Sequence, residues 1–302
     1  LLFAVHELID QMPRIALPNK GRLADDTREL FTDAGLDVRI RGDRALSASL
    51  GGIFEAMFVR AADIPEFVAD GAADLGVTGW DLVTESERDV VQLLDLELGR
   101  CRLSLAATEE SCIGQVGDVP HGTRVATAFP AITRCYFENA DRRVEIVPVS
   151  GAAEIAPRLG IADVIVDLVS TGSTLRVNGL REISTILEST ARLIASRNVA
   201  VALEGDCDNA REIRGLVAAL ESVVRAKGQR YVMANVPRAL LSDVRRILPG
   251  LGGPTVVDVL NGGEHVAVHA VVPAADIYRT IGDLRALGAT GVLVTRIERL
   301  VP

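Results

Sequence analysis

Two segments of this chain resemble each other, Cys101-Arg-Leu-Ser-Leu-Ala and Ala191-Arg-Leu-Ile-Ala-Ser. Each predicts a strand, and the stretch between them looks like a complete α/β unit. A unit inserted between two such strands calls for a two-lobed body. The chain is expected to cross out at Leu103–Ala107 and back at Ala191–Ser196. A cleft between lobes is a common place for a ligand.

Strand-like runs alternate with helical patterns through the first ~230 residues, the signature of parallel α/β architecture. Arg14–Leu17 predicts a strand, Asn19-Lys20-Gly21-Arg22 a loop, and Leu23–Asp33 a helix with Leu23, Leu30 and Phe31 at helical spacing. Gly35 is placed to cap that helix. Phe54–Val59 and Leu75–Thr78 predict further strands, with a helix over Ala62–Asp70 between them.

After Lys227-Gly228 the order becomes βαββαβ. Tyr231–Val236, Pro254–Leu260, His265–Val272 and Gly291–Arg296 predict strands, and Arg238–Leu248 and Ala274–Leu287 predict helices. That is the order of a ferredoxin-like module, and small modules of this kind often sense ligands, an inference by analogy. A length of 302 residues, at roughly 100–200 per domain, fits the division. Residues 12–103 with 191–227 make a first lobe, 104–190 a second lobe, and 228–302 a small regulatory domain.

Composition narrows the function classes. The formal net charge is −9, whereas a nucleic-acid-binding surface needs a net basic face to displace counterions from phosphates. An anionic small substrate is still within reach, through a few local Lys or Arg residues, backbone N–H groups and a metal. Aromatic residues are only 4%, so the cores must be built from Val, Leu, Ile and Ala. Cys101, Cys112, Cys135 and Cys207 show no CxxC spacing and no pairing with nearby His. That pattern predicts reduced, structural thiols in a cytoplasmic protein. No apolar run approaches the ~18 residues that would span a bilayer. Leu1–Val5 is apolar, but His6, Glu7 and Asp10 interrupt it and no basic segment precedes it, unlike a signal peptide. Met12-Pro-Arg-Ile-Ala-Leu reads as a more natural start, with residues 1–11 as an upstream extension.

The strongest chemical feature is Ala162-Asp-Val-Ile-Val-Asp-Leu-Val-Ser-Thr-Gly-Ser-Thr-Leu175. The β-branched run Val164–Val166 predicts a buried strand, and Ser170-Thr-Gly-Ser-Thr174 follows at its carboxyl end, where α/β sheets place their ligands. Gly172 lets the backbone turn tightly and approach a bound group. The hydroxyls of Ser170, Thr171, Ser173 and Thr174, with successive N–H groups, can surround a monophosphate, helped by a helix starting at Thr174. Asp167 stands just before the loop, able to hold ribose hydroxyls or a metal-bound water. A plain helix-capping turn is the alternative, and no Gly-Lys-Ser/Thr of a Walker loop is present.

Lys20, Gly21 and Arg22 form a second cluster, cationic donors about a flexible glycine, suited to a diphosphate or polyphosphate. Arg60, at the end of a strand, is a weaker candidate of the same kind. Asp74-Leu-Gly-Val-Thr-Gly79 ends a strand with small residues that let a ligand approach the backbone. His265 and His269 share a strand face and read as half-exposed strand residues, and Trp80 is expected to pack between lobes.

Asn19-Lys-Gly-Arg-Leu23, Asp74–Gly79, the run Glu154–Leu175 and Asn178-Gly-Leu180 together resemble ATP phosphoribosyltransferases, with Glu154, Gly160, Asp163, Asp167, Thr171, Gly172, Thr174 and Leu175 at the spacing of that family's signature. The likeness runs from about Arg14 to the C-terminus, and the βαββαβ tail resembles the long form that carries its own regulatory domain. The resemblance implies transfer of 5-phosphoribose from phosphoribosyl diphosphate to N1 of ATP, releasing diphosphate, as the first step of L-histidine biosynthesis. It implies Mg²⁺, carried mainly by the substrate diphosphate, with no protein metal ligand assigned. Asp167, Thr171 and Thr174 are then the catalytic candidates, with Ser170, Gly172 and Ser173 completing the ribose 5-phosphate loop. Lys20, Gly21, Arg22 and Arg60 would serve the diphosphate and nucleotide phosphates. Glu154 and Asp163 would either support the strand and loop or bind ribose hydroxyls.

For the tail, the resemblance implies feedback inhibition by L-histidine at Asn235, Leu251 and Thr255, in a homo-oligomer between dimer and hexamer. Phosphoribosyltransferases of the commonest fold carry two adjacent acids before the loop, but here the second position is Leu168. That departure agrees with a two-lobed, periplasmic-binding-protein-like body plus a C-terminal ferredoxin-like domain. The rivals are a solute-binding module, which would lack the phosphate loop, and a phosphoribosyltransferase acting on another base.

Overall fold

In the computed structural model, which describes residues 12–39, 46–259 and 263–301, the chain divides into two units, Leu1–Val217 and Ala218–Pro302. The extension expected at residues 1–11 and the expected strand end at Leu260 lie outside the described residues.

The first unit begins with strand β1 (Arg14–Pro18), whose Ile15, Ala16 and Leu17 are buried. An unbroken apolar run of this kind suits a strand covered on both faces. Helix α1 (Arg22–Asp33) buries Ala24, Thr27, Leu30 and Phe31, one stripe at three- and four-residue spacing. Gly35, at φ +84°, ends it as expected: the Leu36 N–H reaches the Phe31 carbonyl and the Gly35 N–H that of Thr32.

A short antiparallel pair follows, β2 (Val38–Arg39) and β3 (Ser47–Leu50), then β4 (Phe54–Val59). The helix expected over Ala62–Asp70 is a 3₁₀ turn, Ala61–Asp63, running into α2 (Ile64–Ala69). Next come β5 (Leu75–Gly79), α3 (Trp80–Ser86) and β6 (Val90–Asp95). With β12 (Ala191–Ser196) these make a seven-stranded sheet in the order β2-β3-β4-β1-β5-β12-β6. Strands β4, β1 and β5 run parallel, while β12 is antiparallel to β5 and β6.

The second lobe is a five-stranded sheet, β11-β7-β10-β8-β9, made of β7 (Cys101–Thr108), β8 (Thr123–Thr127), β9 (Val144–Pro148), β10 (Val164–Val169) and β11 (Leu180–Ser189). Helix α4 (Pro130–Asn139) follows β8, and α5 (Ser173–Val177) follows β10. The look-alike segments therefore lie in different sheets. The outward crossing precedes Cys101, within 96–100, rather than falling at Leu103–Ala107, and the return is at Thr190. Their likeness reflects burial, since both strands have nearly unbroken buried centres. Burial does not specify sheet membership. Two crossings between two α/β lobes give the periplasmic-binding-protein-like layout.

Helix α3 joins the lobes. Val83 and Trp80 pack on the first-lobe core with Ile64, Val68 and Ile194, while Leu82 packs on the second-lobe core with Leu103 and Phe129. The Ser189 hydroxyl lies 2.5 Å from an Asp81 carboxylate oxygen and accepts the Asp81 N–H at 3.1 Å, both residues being buried. Trp80 itself belongs to the first lobe, with the Arg192 guanidinium 5.9 Å from its ring.

Helices α6 (Arg197–Ala202) and α7 (Asp208–Ala226) follow β12. The second unit then holds β13 (Gln229–Pro237), α8 (Leu241–Ile247), β14 (Thr255–Asp258), β15 (His265–Pro273), α9 (Ile277–Ala286) and β16 (Thr290–Arg296). Its sheet, β14-β15-β13-β16, has only antiparallel pairs, which is the ferredoxin-like order. Val232, Ala234, Val236, Val266 and Val268 pack with Val244 and Leu284 of the helices. The alternate residues of the same strands occupy the opposite face.

Candidate active site

The loop Ser170–Thr174 leaves the carboxyl end of β10, where the sequence reading expected it. Gly172 holds φ +74°, ψ 5° as the residue preceding α5. A side chain there would be strained, so the turn requires glycine. The Thr171 and Ser173 hydroxyls bond each other at 2.9 Å, and Asn178 donates to the Thr174 carbonyl at 2.9 Å. Ser170, Thr171, Ser173 and Thr174 are all exposed. Helix α5 has five residues, too short for much of a dipole. An anion held at this loop would be met by its hydroxyls and backbone N–H groups rather than by a helix dipole.

Asp167 is half-buried on β10, and one carboxylate oxygen accepts the Leu168 N–H at 2.8 Å. Burial pushes its carboxyl above the usual range, the Leu168 hydrogen bond opposes this, and the nearby negative charge of Glu154 adds to the rise. Glu154, in the 3₁₀ turn Ala153–Ile155, thus stands as a second acid near Asp167.

Asp163 has a different position. It precedes β10, at the end of the strand opposite the loop. Its carboxylate takes the Arg124 N–H at 2.9 Å and the Arg124 guanidinium at 2.7 Å, which hold it below the usual range. The two roles left open for this residue separate here. Asp163 anchors the strand start against β8, and the structure does not bring it to the loop.

In the first lobe, β1 and β4 are parallel neighbours, with Pro18 beside Val59. Lys20, Gly21 and Arg22 follow the one and Arg60 follows the other, so all four stand on the carboxyl edge of that sheet. Lys20, Arg22 and Arg60 are exposed, and Arg22 makes only a loose ion pair with Asp26 at 3.6 Å. Gly21 precedes α1 at φ +78°, with open space where a Cβ would stand. Asp74, in the third quoted segment, accepts the Arg14 N–H at 2.7 Å at the far end of β1. Gly79, which closes that segment, packs so tightly on the Asp81 carboxylate that a Cβ there would have to displace it.

The two carboxyl edges meet through α3. It leaves the carboxyl end of β5, and Glu85 near its end accepts the N–H groups of Ala131 and Ile132 at 2.9 and 3.0 Å. Those N–H groups open α4, at the carboxyl end of β8. β8 is parallel to β10, which carries the hydroxyl loop. The cationic cluster and the loop thus belong to edges joined by one helix.

The sequence reading missed Arg102, Ser104 and Glu182. Arg102 donates to both Glu182 carboxylate oxygens at 2.6 Å and to the Ser170 carbonyl at 3.3 Å. Ser104 donates to Glu182 at 2.7 Å. These contacts hold Glu182 well below its ordinary value, at about 2. The available signal was an arginine inside an apolar strand, Cys101-Arg-Leu-Ser-Leu-Ala, which needs a partner.

In the second unit, Asn235 lies on β13 and Thr255 opens β14, separated by β15. The register pairs Thr255 with His269 and His269 with Met233, so Thr255, His269 and Asn235 occupy the sheet face opposite the helices. Leu251 is exposed in the turn before β14. His269 is engaged by Tyr231, whose hydroxyl lies 2.6 Å from Nδ1. Among the described residues no three His, Cys, Asp or Glu side chains group to hold a metal, and no helix is long and apolar enough to cross a membrane.

The chain matches the family described as ATP phosphoribosyltransferase over residues 60–222 and the HisG C-terminal domain over residues 226–299. It is 64% identical to an ATP phosphoribosyltransferase of Gemmatimonas aurantiaca, over 96% of this chain and 100% of that one. It is 49% identical to the protein of the same name from Halobacterium salinarum, over 95% of this chain and 99% of that one. Among solved structures, it resembles the ATP phosphoribosyl transferase (HisG:HisZ) complex from Thermotoga maritima, with a TM-score of 0.61 and 26% identity. That likeness covers 71% of this chain and 99% of the solved one.

Proposed function

The chain belongs to the ATP phosphoribosyltransferase family, in the long form with its own C-terminal domain, and from that premise we propose how its two sheet edges divide the substrates. The activity is that of the first step of L-histidine biosynthesis, in which 5-phosphoribose passes from phosphoribosyl diphosphate to N1 of ATP and diphosphate leaves. Ser170–Thr174 holds the ribose 5-phosphate, and Asp167 accepts hydrogen bonds from the ribose hydroxyls. Lys20, Gly21, Arg22 and Arg60 serve the diphosphate and the nucleotide phosphates.

The observation that carries this reading is the half-buried Asp167 beside the loop, whose carboxylate, among the described residues, accepts the Leu168 N–H and joins no ion pair. A carboxylate left unpaired in that position is ready to accept from a polyol. N1 of adenine already has a lone pair, so no side-chain nucleophile is required. Charge is lost from the diphosphate–ribose bond and gathers on the leaving group, so orientation and cationic stabilisation carry the rate. Glu154 and Asp167, acting together as negative charge, favour a cationic ribosyl centre.

Mg²⁺ fits this arrangement as an ion borne by the substrate. Such an ion keeps several waters and takes one or two carboxylates besides phosphate oxygens, and Asp167 is suited to one of its bound waters. Its contribution when bound is to neutralise the leaving diphosphate.

The ferredoxin-like unit is read as the L-histidine sensor, with Asn235, Leu251 and Thr255 as its contacts, in a dimer-to-hexamer equilibrium that histidine shifts. Apolar Val257 and Leu293, exposed in its sheet, support burial between subunits. All four cysteines are unpaired, which suits the reducing cytoplasm.

Incubation with ATP, phosphoribosyl diphosphate and Mg²⁺, followed by the absorbance of phosphoribosyl-ATP, tests the assignment. Product forms with ATP if it is right. No product with ATP, while another base is consumed, contradicts it.

A further inference from the structure

One guanidinium ties the hydroxyl loop to two neighbouring strands. The β7–β10 register sets Arg102 opposite Val169 and Ser104 opposite Asp167. Residues directly paired across a sheet share a face, so Arg102 and Ser104 stand on the face that carries Asp167. On β11, Glu182 pairs with Ala106 and Thr185 with Ser104, because the register shifts between Glu182 and Ser184. In a regular strand, residues three apart point to opposite faces. The irregularity brings both to the Arg102 face, a familiar use of a bulge.

Glu182 consequently receives four donors: Arg102 Nε and Nη2 at 2.6 Å, the Ser104 hydroxyl at 2.7 Å and the Thr185 hydroxyl at 3.4 Å. This fixes the guanidinium plane and leaves Nη1 to donate to the Ser170 carbonyl at 3.3 Å. Both side chains are less than a third exposed, at 29% and 27%. The planar fork of arginine reaches three acceptors at once, two on β11 and one in the loop, which the point charge of lysine does not.

We infer that Arg102, oriented by Glu182, is a positioning residue for phosphoribosyl transfer, holding the first carbonyl of the loop so that its N–H and hydroxyl groups stand correctly relative to Asp167. The inference rests on reading Ser170–Thr174 as the cradle of the ribose 5-phosphate. Glu182 has a second consequence. It keeps the guanidinium occupied, so that Asp167, on the same face, stays open to the sugar.

The test is steady-state kinetics of the full chain, varying phosphoribosyl diphosphate and ATP separately, with melting temperatures alongside. Arg102→Lys should raise KM for phosphoribosyl diphosphate about tenfold and lower kcat, as displaced positioning groups do. KM for ATP should stay within about twofold, because binding lost at one substrate only leaves the other unmoved. Glu182→Gln should shift the same constant in the same direction by less. A KM for phosphoribosyl diphosphate left unchanged by Arg102→Lys would overturn the inference. So would an equal rise in both KM values tracking a lowered melting temperature, the signature of a purely structural residue. Thr174→Ala distinguishes the two layers. If it raises the KM for phosphoribosyl diphosphate and Arg102→Lys does not, only the Arg102 role falls. If neither does, the loop reading falls and takes the Arg102 role with it.

Discussion

Glu85 caps a helix of the opposite lobe, its carboxylate accepting the Ala131 N–H at 2.9 Å and the neighbouring Ile132 N–H at 3.0 Å. Asp81, one turn earlier on α3, meets Ser189 at the lobe boundary. Residues four apart share a helix face, so one side of α3 grips the second lobe at two points.

Glu85→Ala leaves two N–H groups at the start of α4 without their acceptor. Loss of a helix cap costs about 1–2 kcal/mol, and denaturant unfolding of the full chain should show a destabilisation of that size. Glu85→Gln keeps one good acceptor and should cost roughly half as much. No change in the midpoint for Glu85→Ala would mean that the clasp adds nothing to the native state.

Asp167 should separate stability from activity. Its folded carboxyl titrates above the ordinary value, so its contribution to stability is present at low pH and is lost as the pH rises through the folded value. At neutral pH the ionised group is a burden on the free protein. Asp167→Asn should therefore melt no lower than the parent chain at pH 7, while turnover falls steeply. A lowered melting temperature would show that Asp167 supports the fold.

Glu182 titrates in the opposite sense. Its carboxyl is held at about 2 against an ordinary 4.5. Its stabilisation is complete above the ordinary value and is lost as pH falls toward the folded one. Between those limits the parent chain should lose more stability than Glu182→Gln. Parallel acid-unfolding curves for the two proteins would remove the Arg102 pair from the account.

In the second unit, Asn235→Ala and Thr255→Val should weaken inhibition by L-histidine without altering uninhibited turnover. Dose–response curves in the same absorbance assay measure this. Unaltered inhibition would place the histidine contacts elsewhere.

The sequence was most legible where one local rule decides. Gly35 ends its helix by a backbone geometry that glycine favours, and Ala191–Ser196 reads as a buried strand from its own residues. Ser170–Thr174 was visible because strand, acid and hydroxyl turn are contiguous. Arg102 and Glu182 were not, since their meeting depends on the order β11-β7-β10 and on a register shift. Glu85 was hidden for the same reason, its partners lying in another lobe. Asp163 is the reverse case: close to the loop in sequence, it stands a full strand length away from it.

Calorimetric binding reads out whether Ser170–Thr174 holds the ribose 5-phosphate, the role proposed for it. Phosphoribosyl diphosphate with Mg²⁺ would be titrated into the full chain and into Thr174→Ala, with ATP titrated in parallel. The account predicts affinity for phosphoribosyl diphosphate weakened about tenfold, the ~1.4 kcal/mol scale of one lost hydrogen bond to a charged group, with ATP binding unmoved. Equal affinity of both proteins for phosphoribosyl diphosphate would contradict it.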